Sequence, residues 1–481
     1  MMEGAFMKKT KIICTLGPAT DEETTLLQMI QAGMDIARLN FSHGNREEHR
    51  RRIAMVRRAG EKMGIPVGIL LDTKGPEIRT GKMHQDSVFL KEGKLIRVTT
   101  EEMLGTEEGF SISYPQLPGE VTRGDVLLID DGILRLQVEE IHEKALMCRV
   151  VHGGELKSNK GVNVPGVRVN LPPITRRDQE DIRFGLREGI DFIAASFVRD
   201  KTAIAQIRRI CQEEKKEVFL IAKIENEEGI AHIDEIIDWA DGIMIARGDL
   251  GVEIPAQEVP YLQKKIIEKC NAKMKPVITA TQMLDSMMRH PRPTRAEAAD
   301  VANAIYDGTD AVMLSGESAA GKYPVEAVRM MTKIAEETEQ HLEGYVSLRQ
   351  REARSRITIA STIAHMSVQA AKELQASCII AATMSGTTAR YLSAFRPSCM
   401  IVGVTPHDWV RRRMQLYWGV CSMQIQEIST TDELILSAVE KTGGIDFVSK
   451  GDVCIMTAGI AAGKDHPYTT NMIRAFRMGE V

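Results

Sequence analysis

The chain has 481 residues, 43% of them hydrophobic, which at roughly 150 residues per domain is enough for about three domains with cores of their own. Lysine and arginine (62) fall short of aspartate and glutamate (66), so the net charge is −4 and no global positive field draws the chain to nucleic acid or anionic lipid; an anionic ligand must meet a local cluster. Eight scattered cysteines without a C-x-x-C pair fit reduced, mostly buried thiols rather than a disulfide framework or zinc site, and no run of 18 apolar residues occurs, so a cytoplasmic, membrane-free protein is expected.

From residue 8 to about 72, short apolar runs alternate with amphipathic stretches of helical period, the pattern of β/α units. Lys11 to Thr15 reads as a strand. Asp21 is placed to cap the following helix, Leu26, Leu27 and Ile30 share one of its faces, and Gly33 stops it. Strands are expected again at 35–41 and 67–72. Between 73 and 168 the texture changes to period-two alternation, as in Leu95 to Thr99, with turn signals at Asp131-Gly132 and Gly153-Gly154, which reads as an all-β insertion.

The alternation of strand and helix then resumes, with apolar runs at 192–198, 219–224, 242–246, 277–280 and 311–314. Three strands before the insertion and five after it make eight, the count of a closed (β/α)8 barrel, whose catalytic residues lie at the C-terminal strand ends. After a last barrel helix at 325–343, the polar stretch Gly344 to Arg356 breaks the rhythm. A helix at 357–374 and strands at 378–383, 400–405 and 453–457 then fit an open α/β sheet. The expected architecture is therefore an α/β chain in three parts: a (β/α)8 barrel from 1–72 and 169–344, an inserted all-β lid domain at 73–168, and a C-terminal open α/β sheet domain at 345–481.

The strand ends carry the chemistry. Strand side chains alternate, so in Ala222-Lys223-Ile224-Glu225-Asn226 the lysine and the glutamate point to the same side. The next strand ends Ala246-Arg247-Gly248-Asp249, adding a second carboxylate beside a glycine that lets a ligand approach the backbone. Two carboxylates with open positions for water and substrate oxygens suit Mg²⁺ or Mn²⁺ better than a metal that favours nitrogen and sulfur. Read singly, Lys223 and Glu225 make a plain ion pair and Asp249 a turn or cap residue. Arg38-Leu39-Asn40-Phe41-Ser42-His43 repeats the alternation, with Arg38, Asn40 and Ser42 on one side, and further polar residues stand at 72–81 and 279–284.

Lys9 to Ile12 through Gly17-Pro18, Arg38 to His43, Asp72 to Arg79, Asn159-Lys160-Gly161, Ala222 to Asn226, Arg247 to Gly251 and Thr279 to Met283 together resemble the pyruvate kinase family, nearly letter for letter and in the family's order. The resemblance implies a transfer of phosphoryl from phosphoenolpyruvate to ADP, giving pyruvate and ATP at the terminal step of glycolysis. It implies that Glu225 and Asp249 hold Mg²⁺ (or Mn²⁺), and that Arg38, Lys223, Gly248, Asp249 and Thr281 meet phosphoenolpyruvate. Asn40, Ser42, Asp72 and Thr73 resemble the family's K⁺ site, while His43, Arg79 and Lys160 would face the nucleotide, with Asn40 beside them. A glutamate at the position of Glu77 goes with K⁺ dependence in this family. Lys223 and Arg38 would carry the chemistry, with Thr281 and Ser315 ordering a water that delivers the final proton.

In the third domain, Thr383, Ser385, Gly386, Thr387 and Thr388 follow a strand and open a helix, which fits either simple capping or an anion seat. The stretch resembles the family's effector-phosphate loop, implying a sugar-phosphate or nucleotide-monophosphate effector, although the facing segment, Gly459 through Thr469, departs from the family's effector loops. The resemblance also implies a homotetramer, leaves Met1 to Phe6 as an unmatched extra before a start at Met7, and implies no additional C-terminal phosphohistidine-type domain. Thr294 to Glu297 reads as a helix capping box and His49-Arg50-Arg51-Arg52 as a solvated helix face. The rival readings are a metal-dependent enolate aldolase or mutase on the same barrel, which leaves the lid and nucleotide residues unexplained, and a catalytically silent sugar-phosphate sensor, which should have lost Lys223, Glu225 or Asp249.

Overall fold

The computed structural model describes residues 7–342, 357–426, 431–459 and 470–480. The extra Met1 to Phe6, the polar stretch Gly344 to Arg356 and nearly all of the segment facing the 383–388 loop lie outside the described residues.

Eight parallel strands close into a barrel: β1 Lys11–Thr15, β2 Ile36–Asn40, β3 Gly68–Asp72, β4 Phe192–Ala195, β5 Phe219–Ile224, β6 Gly242–Ala246, β7 Val277–Ala280 and β8 Ala311–Leu314. Their near-continuous apolar runs have the reason expected of parallel sheets, since both faces are covered. Ile12 and Cys14 pack outward under the helices, whereas Ile13, Leu70, Ile221 and Met313 point into the barrel. The β4 run ends three residues short of its sequence expectation, because the chain turns out of the sheet at Ser196 and Phe197, the latter at φ 54°.

The helix after β1 spans Glu23–Ala32 and ends at Gly33, whose φ of 117° is the left-handed conformation glycine adopts without strain. Asp21 does not cap it: Glu22 holds that position, and the Asp21 carboxylate instead takes a bidentate pair from Arg52 at 2.7 and 3.0 Å. That contact also corrects the reading of residues 49–52 as a solvated face. His49 and Arg52 are buried, His49 stacked on Phe41 at 4.0 Å, and only Arg50 and Arg51 face outward. Thr294 does form the capping box with Glu297 on the helix Arg295–Asp307.

Between β3 and β4 lies a seven-stranded sheet and a two-stranded one, with their own apolar cluster around Phe110, Leu127 and Leu136. The C-terminal part is a five-stranded sheet. Three of its strands, Cys378–Ala382, Met400–Thr405 and Val453–Gly459, were legible as apolar runs. Its edges, Val420–Gln424 and the antiparallel Thr470–Arg477, were not, because edge strands expose alternate polar residues. All eight cysteines are free, six of them buried.

This C-terminal part seals the end of the barrel where the strands begin. Four aspartates there each accept a backbone N–H from the first or second residue of a strand: Asp35 from Ile12, Asp191 from Ile69, Asp241 from Leu220 and Asp310 from Val277, at 2.8 to 2.9 Å. Two of them are met by arginines from the C-terminal part, Arg412 on Asp191 at 2.7 Å and Arg396 on Asp310 at 2.9 Å. The opposite end of the barrel, where the strands finish, faces the inserted β domain.

Candidate active site

At the C-terminal ends of β2, β3 and β5, four charged side chains lie buried in one chain of contacts. Arg38 Nε donates to Asp72 Oδ2 at 2.6 Å, the other Asp72 oxygen accepts from Lys223 Nζ at 3.0 Å, and Lys223 Nζ lies 2.8 Å from Glu225 Oε1. The alternation of β5 aims Lys223 and Glu225 the same way, as its sequence implies. Asp72 and Glu225 are essentially closed to solvent, while Arg38 and Lys223 each keep a tenth of the side chain open, the part a ligand can meet.

Burial works against charge here, and the partners decide each outcome. Burial pushes the Lys223 ammonium down, but Asp72 and Glu225 together more than offset it and hold it above the ordinary lysine value. Burial raises Asp72, yet Arg38 and Lys223 pull it below the ordinary carboxylate range. Glu225 goes the other way: burial, with Asp249 nearby adding to it against Lys223, pushes it up to about 7. The cluster is therefore short of positive charge at its Glu225 and Asp249 side.

Two residues here were not singled out from sequence. Ser196 Oγ accepts from Lys223 at 2.9 Å, and its one hydrogen is within reach of Asp72 Oδ1 and the Thr73 carbonyl, at 3.1 and 2.6 Å. Thr15 accepts from Arg38 at 2.8 Å and donates to the Leu314 carbonyl. Thr15 is legible as a polar residue ending an apolar strand; Ser196 is hidden because the apolar run continues past it to Val198.

On the far side, the helix Arg247–Glu253 begins directly at the end of β6, and Gly248 N donates to Thr281 Oγ1 at 2.7 Å. Thr281 is held at φ 68°, a left-handed conformation that costs a β-branched residue energy, and Arg247 keeps it there by donating to its carbonyl at 2.8 Å. The Thr281 hydroxyl gives its own hydrogen to the Ala280 carbonyl at 2.6 Å. Ser315 Oγ, by contrast, is buried without a hydrogen-bond partner among the described residues, and Glu317, which no sequence pattern marks, accepts from Ser315 N and Leu284 N.

Two cavities meet at this end of the barrel. One of about 750 Å³ opens between the barrel and the inserted domain and is lined by His43, Arg79, Lys160 and Asp249. The other, of about 660 Å³, is lined by Gly248, Asp249, Thr281 and Ser315. Asp131 of the inserted domain borders both, whereas Arg38, Asp72, Lys223 and Glu225 line neither and lie behind them. Lys160 pairs with Asp130 at 2.7 Å, and Arg79 with Glu77 at 2.5 Å and with the Asn159 carbonyl at 2.7 Å. Of the expected K⁺ ligands, Asn40 Oδ1 accepts from Ser42 N at 3.1 Å, and Thr73 Oγ1 accepts from Ser196 N at 3.0 Å. In the C-terminal part, Gly386 N donates to Thr383 Oγ1, Ser385 and Thr387 hydroxyls lie 2.9 Å apart, and Thr388 is buried against Thr470.

A closed parallel barrel with buried, paired cations and carboxylates at its strand ends, roofed by an inserted β domain, defines a barrel enzyme built to handle an anionic substrate. The family model described as "Pyruvate kinase, barrel domain" matches residues 7–328, and "Pyruvate kinase, alpha/beta domain" matches 361–476. A pyruvate kinase of Geobacillus stearothermophilus is 51% identical over 470 residues, covering 97% of this chain and 80% of its own length. One of Bacillus licheniformis is 49% identical, covering 99% and 81%. A crystal structure of a pyruvate kinase from Cryptosporidium parvum superposes with a TM-score of 0.92 at 38% identity, covering 98% of this chain and 96% of that one. The chain belongs to the pyruvate kinase family of phosphotransferases.

Proposed function

We propose that the protein transfers the phosphoryl group of phosphoenolpyruvate to ADP, releasing pyruvate and ATP through an enolate held by Lys223 beside a divalent metal. The observation that carries this reading is the Lys223 ammonium buried between Asp72 and Glu225, 3.0 and 2.8 Å away, behind cavities lined by the remaining candidates. Phosphoryl transfer asks a protein mainly for in-line placement and charge neutralisation. Arg38 would grip the phosphoryl oxygens from β2, and Lys223 would meet the charge that grows on the enolate oxygen as the phosphoryl leaves. His43, Arg79 and Lys160 would hold the nucleotide across the larger cavity, and the inserted domain would exclude water that otherwise consumes the donor. For the closing proton, the unpartnered Ser315 hydroxyl favours a role in ordering a water, whereas the Thr281 hydroxyl is already committed to Ala280. The test is purified protein with phosphoenolpyruvate, ADP, Mg²⁺ and K⁺, followed for pyruvate; no pyruvate above a protein-free control rejects the reading.

The family is generally metal-dependent, and the donors here fit a hard divalent ion. Glu225 is raised by burial and by Asp249 in spite of Lys223, as expected where buried carboxylates outweigh the cation they share, and no cluster of three His, Cys, Asp or Glu ligands exists among the described residues. Mg²⁺ held by Glu225 and Asp249 would keep its other positions for water and substrate oxygens and supply charge neutralisation at the enolate. Because a ligand carboxylate must lose its proton, Mn²⁺ affinity of the substrate-free protein should rise roughly tenfold per pH unit on the acid side and level off above about pH 7. Titration calorimetry across that range reads it, and a flat profile would take Glu225 out of the ligand set. By the same sign rule, the metal-free fold gains from Glu225 being protonated and loses that gain as pH rises through 7.

Asn40, Ser42, Asp72 and Thr73 would supply the oxygens of a K⁺ site, and Glu77, paired with Arg79, is the residue expected to go with K⁺ dependence. Activity in K⁺-free buffer is expected to fall about 10²-fold, the scale of one lost charge-stabilising group, and Glu77→Lys to restore part of it. Full activity without K⁺ would refute the site. We also favour the division into 1–72 with 169–344, 73–168 and 345–481, an effector phosphate at Thr383, Ser385, Gly386, Thr387 and Thr388, a homotetramer and a cytoplasmic location; no helix among the described residues is long and apolar enough to cross a membrane.

A further inference from the structure

We propose that His49 is a positioning residue for the nucleoside diphosphate: its ring holds the turn that carries His43, and so sets where His43 stands in the larger cavity. The inference rests on the nucleotide reading given above and extends it to a residue that lines neither cavity at this end of the barrel. His43 lines the cavity of about 750 Å³ with Arg79 and Lys160, but its side chain is exposed and sits on a short turn between β2 and the helix Arg46–Met63. Such a side chain presents a fixed group to a ligand only if its backbone is fixed.

The hold comes from one helical turn further along. Asn45 caps the helix, accepting from Glu48 N at 3.0 Å, and helical side chains lean towards the N-terminus, so His49 leans over the turn. Its Nε2 lies 3.0 Å from the His43 carbonyl, which can only accept, so the ring hydrogen is on Nε2. The ring face stacks on Phe41 at 4.0 Å with 13° between the planes. Phe41 is fixed in turn, its N–H donating to the Asp72 carbonyl and its own carbonyl accepting from Arg177. Gly44 follows at φ 71°, the left-handed conformation that lets the chain double back onto the helix. Among the described residues no other side chain bonds to the backbone of His43.

Packing alone does not account for a histidine at this position. The residue is 3% exposed, and its second nitrogen, Nδ1, is buried with no hydrogen-bond partner among the described residues. Burial lowers its pKa, so the ring is neutral at physiological pH. A phenyl ring would stack on Phe41 as well and bury no unpaired nitrogen, which makes histidine the less stabilising choice. What the imidazole adds is the bond to the His43 carbonyl.

Calorimetric binding of ADP with Mg²⁺, and separately of phosphoenolpyruvate, to the full chain tests this. His49→Phe should weaken ADP about tenfold, the worth of one hydrogen bond, and leave phosphoenolpyruvate within about twofold. His49→Gln, whose amide nitrogen reaches the place of Nε2, should recover ADP binding, whereas His49→Asn, which reaches only the place of Nδ1, should not. In a His43→Ala background His49→Phe should add almost nothing, since the hold acts through His43. Unchanged ADP binding by His49→Phe overturns the inference, as does an equal loss for both substrates, which marks a purely structural role. If His49→Phe does not fold, His49→Gln and His49→Asn decide alone, and equal ADP affinity in those two overturns it. A parent that binds no ADP rejects the nucleotide reading itself, a result distinct from any difference among the variants.

Discussion

Lys223→Met is expected to lower turnover by about 10³-fold or more, with both substrates still bound. The methionine keeps the volume of the stem but removes the ammonium that lies between Asp72 and Glu225. Asp72 retains Arg38 at 2.6 Å, so its charge stays compensated. Glu225 keeps only the backbone N–H of Phe197, also at 2.6 Å, and its already raised carboxyl should rise further. The variant therefore loses charge stabilisation twice, once at the missing ammonium and once through a Glu225 that holds a proton where a metal ligand must be bare. Steady-state rates with a dissociation constant for phosphoenolpyruvate separate this from simple loss of binding: kcat should fall far more than affinity. Equal rates in parent and variant would remove the lysine from the chemistry.

The largest effect on stability is expected at the other end of the barrel. Arg396→Leu should cost about 3 to 5 kcal/mol, because it leaves Asp310 as a buried carboxylate without its cation. Both side chains are less than a tenth exposed, and Arg396 also donates to the Gly308 carbonyl at 2.7 Å and lies over Trp418 at 4.9 Å. The 2.9 Å contact with Asp310 is an ion pair without good hydrogen-bond alignment, so its worth lies in charge compensation. Burial already raises Asp310, and Arg396 holds that rise in check. A carboxyl raised in the fold favours the folded state while protonated and loses that contribution as pH climbs through its folded pKa. The variant should accordingly lose most stability at neutral and alkaline pH and regain part of it on acidification. Denaturant unfolding of Arg396→Leu and of Arg396→Leu with Asp310→Asn checks both points, since the double variant should be the less destabilised. A loss under about 1 kcal/mol would show that the pair contributes little to the docking.

Much of the barrel was readable because parallel strands buried on both faces are continuous apolar runs, and β1, β5, β6, β7 and β8 have the limits the sequence implies. The edge strands at 420–424 and 470–477 escaped for the converse reason, having one side open to solvent and no apolar run to announce them. Asp21 failed as a cap because a tertiary partner, Arg52, claimed its carboxylate. The same pairing buried Arg52, and stacking on Phe41 buried His49, in a stretch whose letters read as solvated surface.

For the site, local alternation alone determines that Lys223 and Glu225 share a direction, since that follows from the period of two in any strand. Nothing in the order of residues could bring Asp72, Ser196 and Lys223 within 3.1 Å of one another, because they stand on three different strands or strand ends. Closure of the barrel makes those ends neighbours. That juxtaposition, together with burial, decides which carboxyl stays ionised and which is pushed towards neutrality, because charge energies depend on distances and solvent access that only the folded chain possesses.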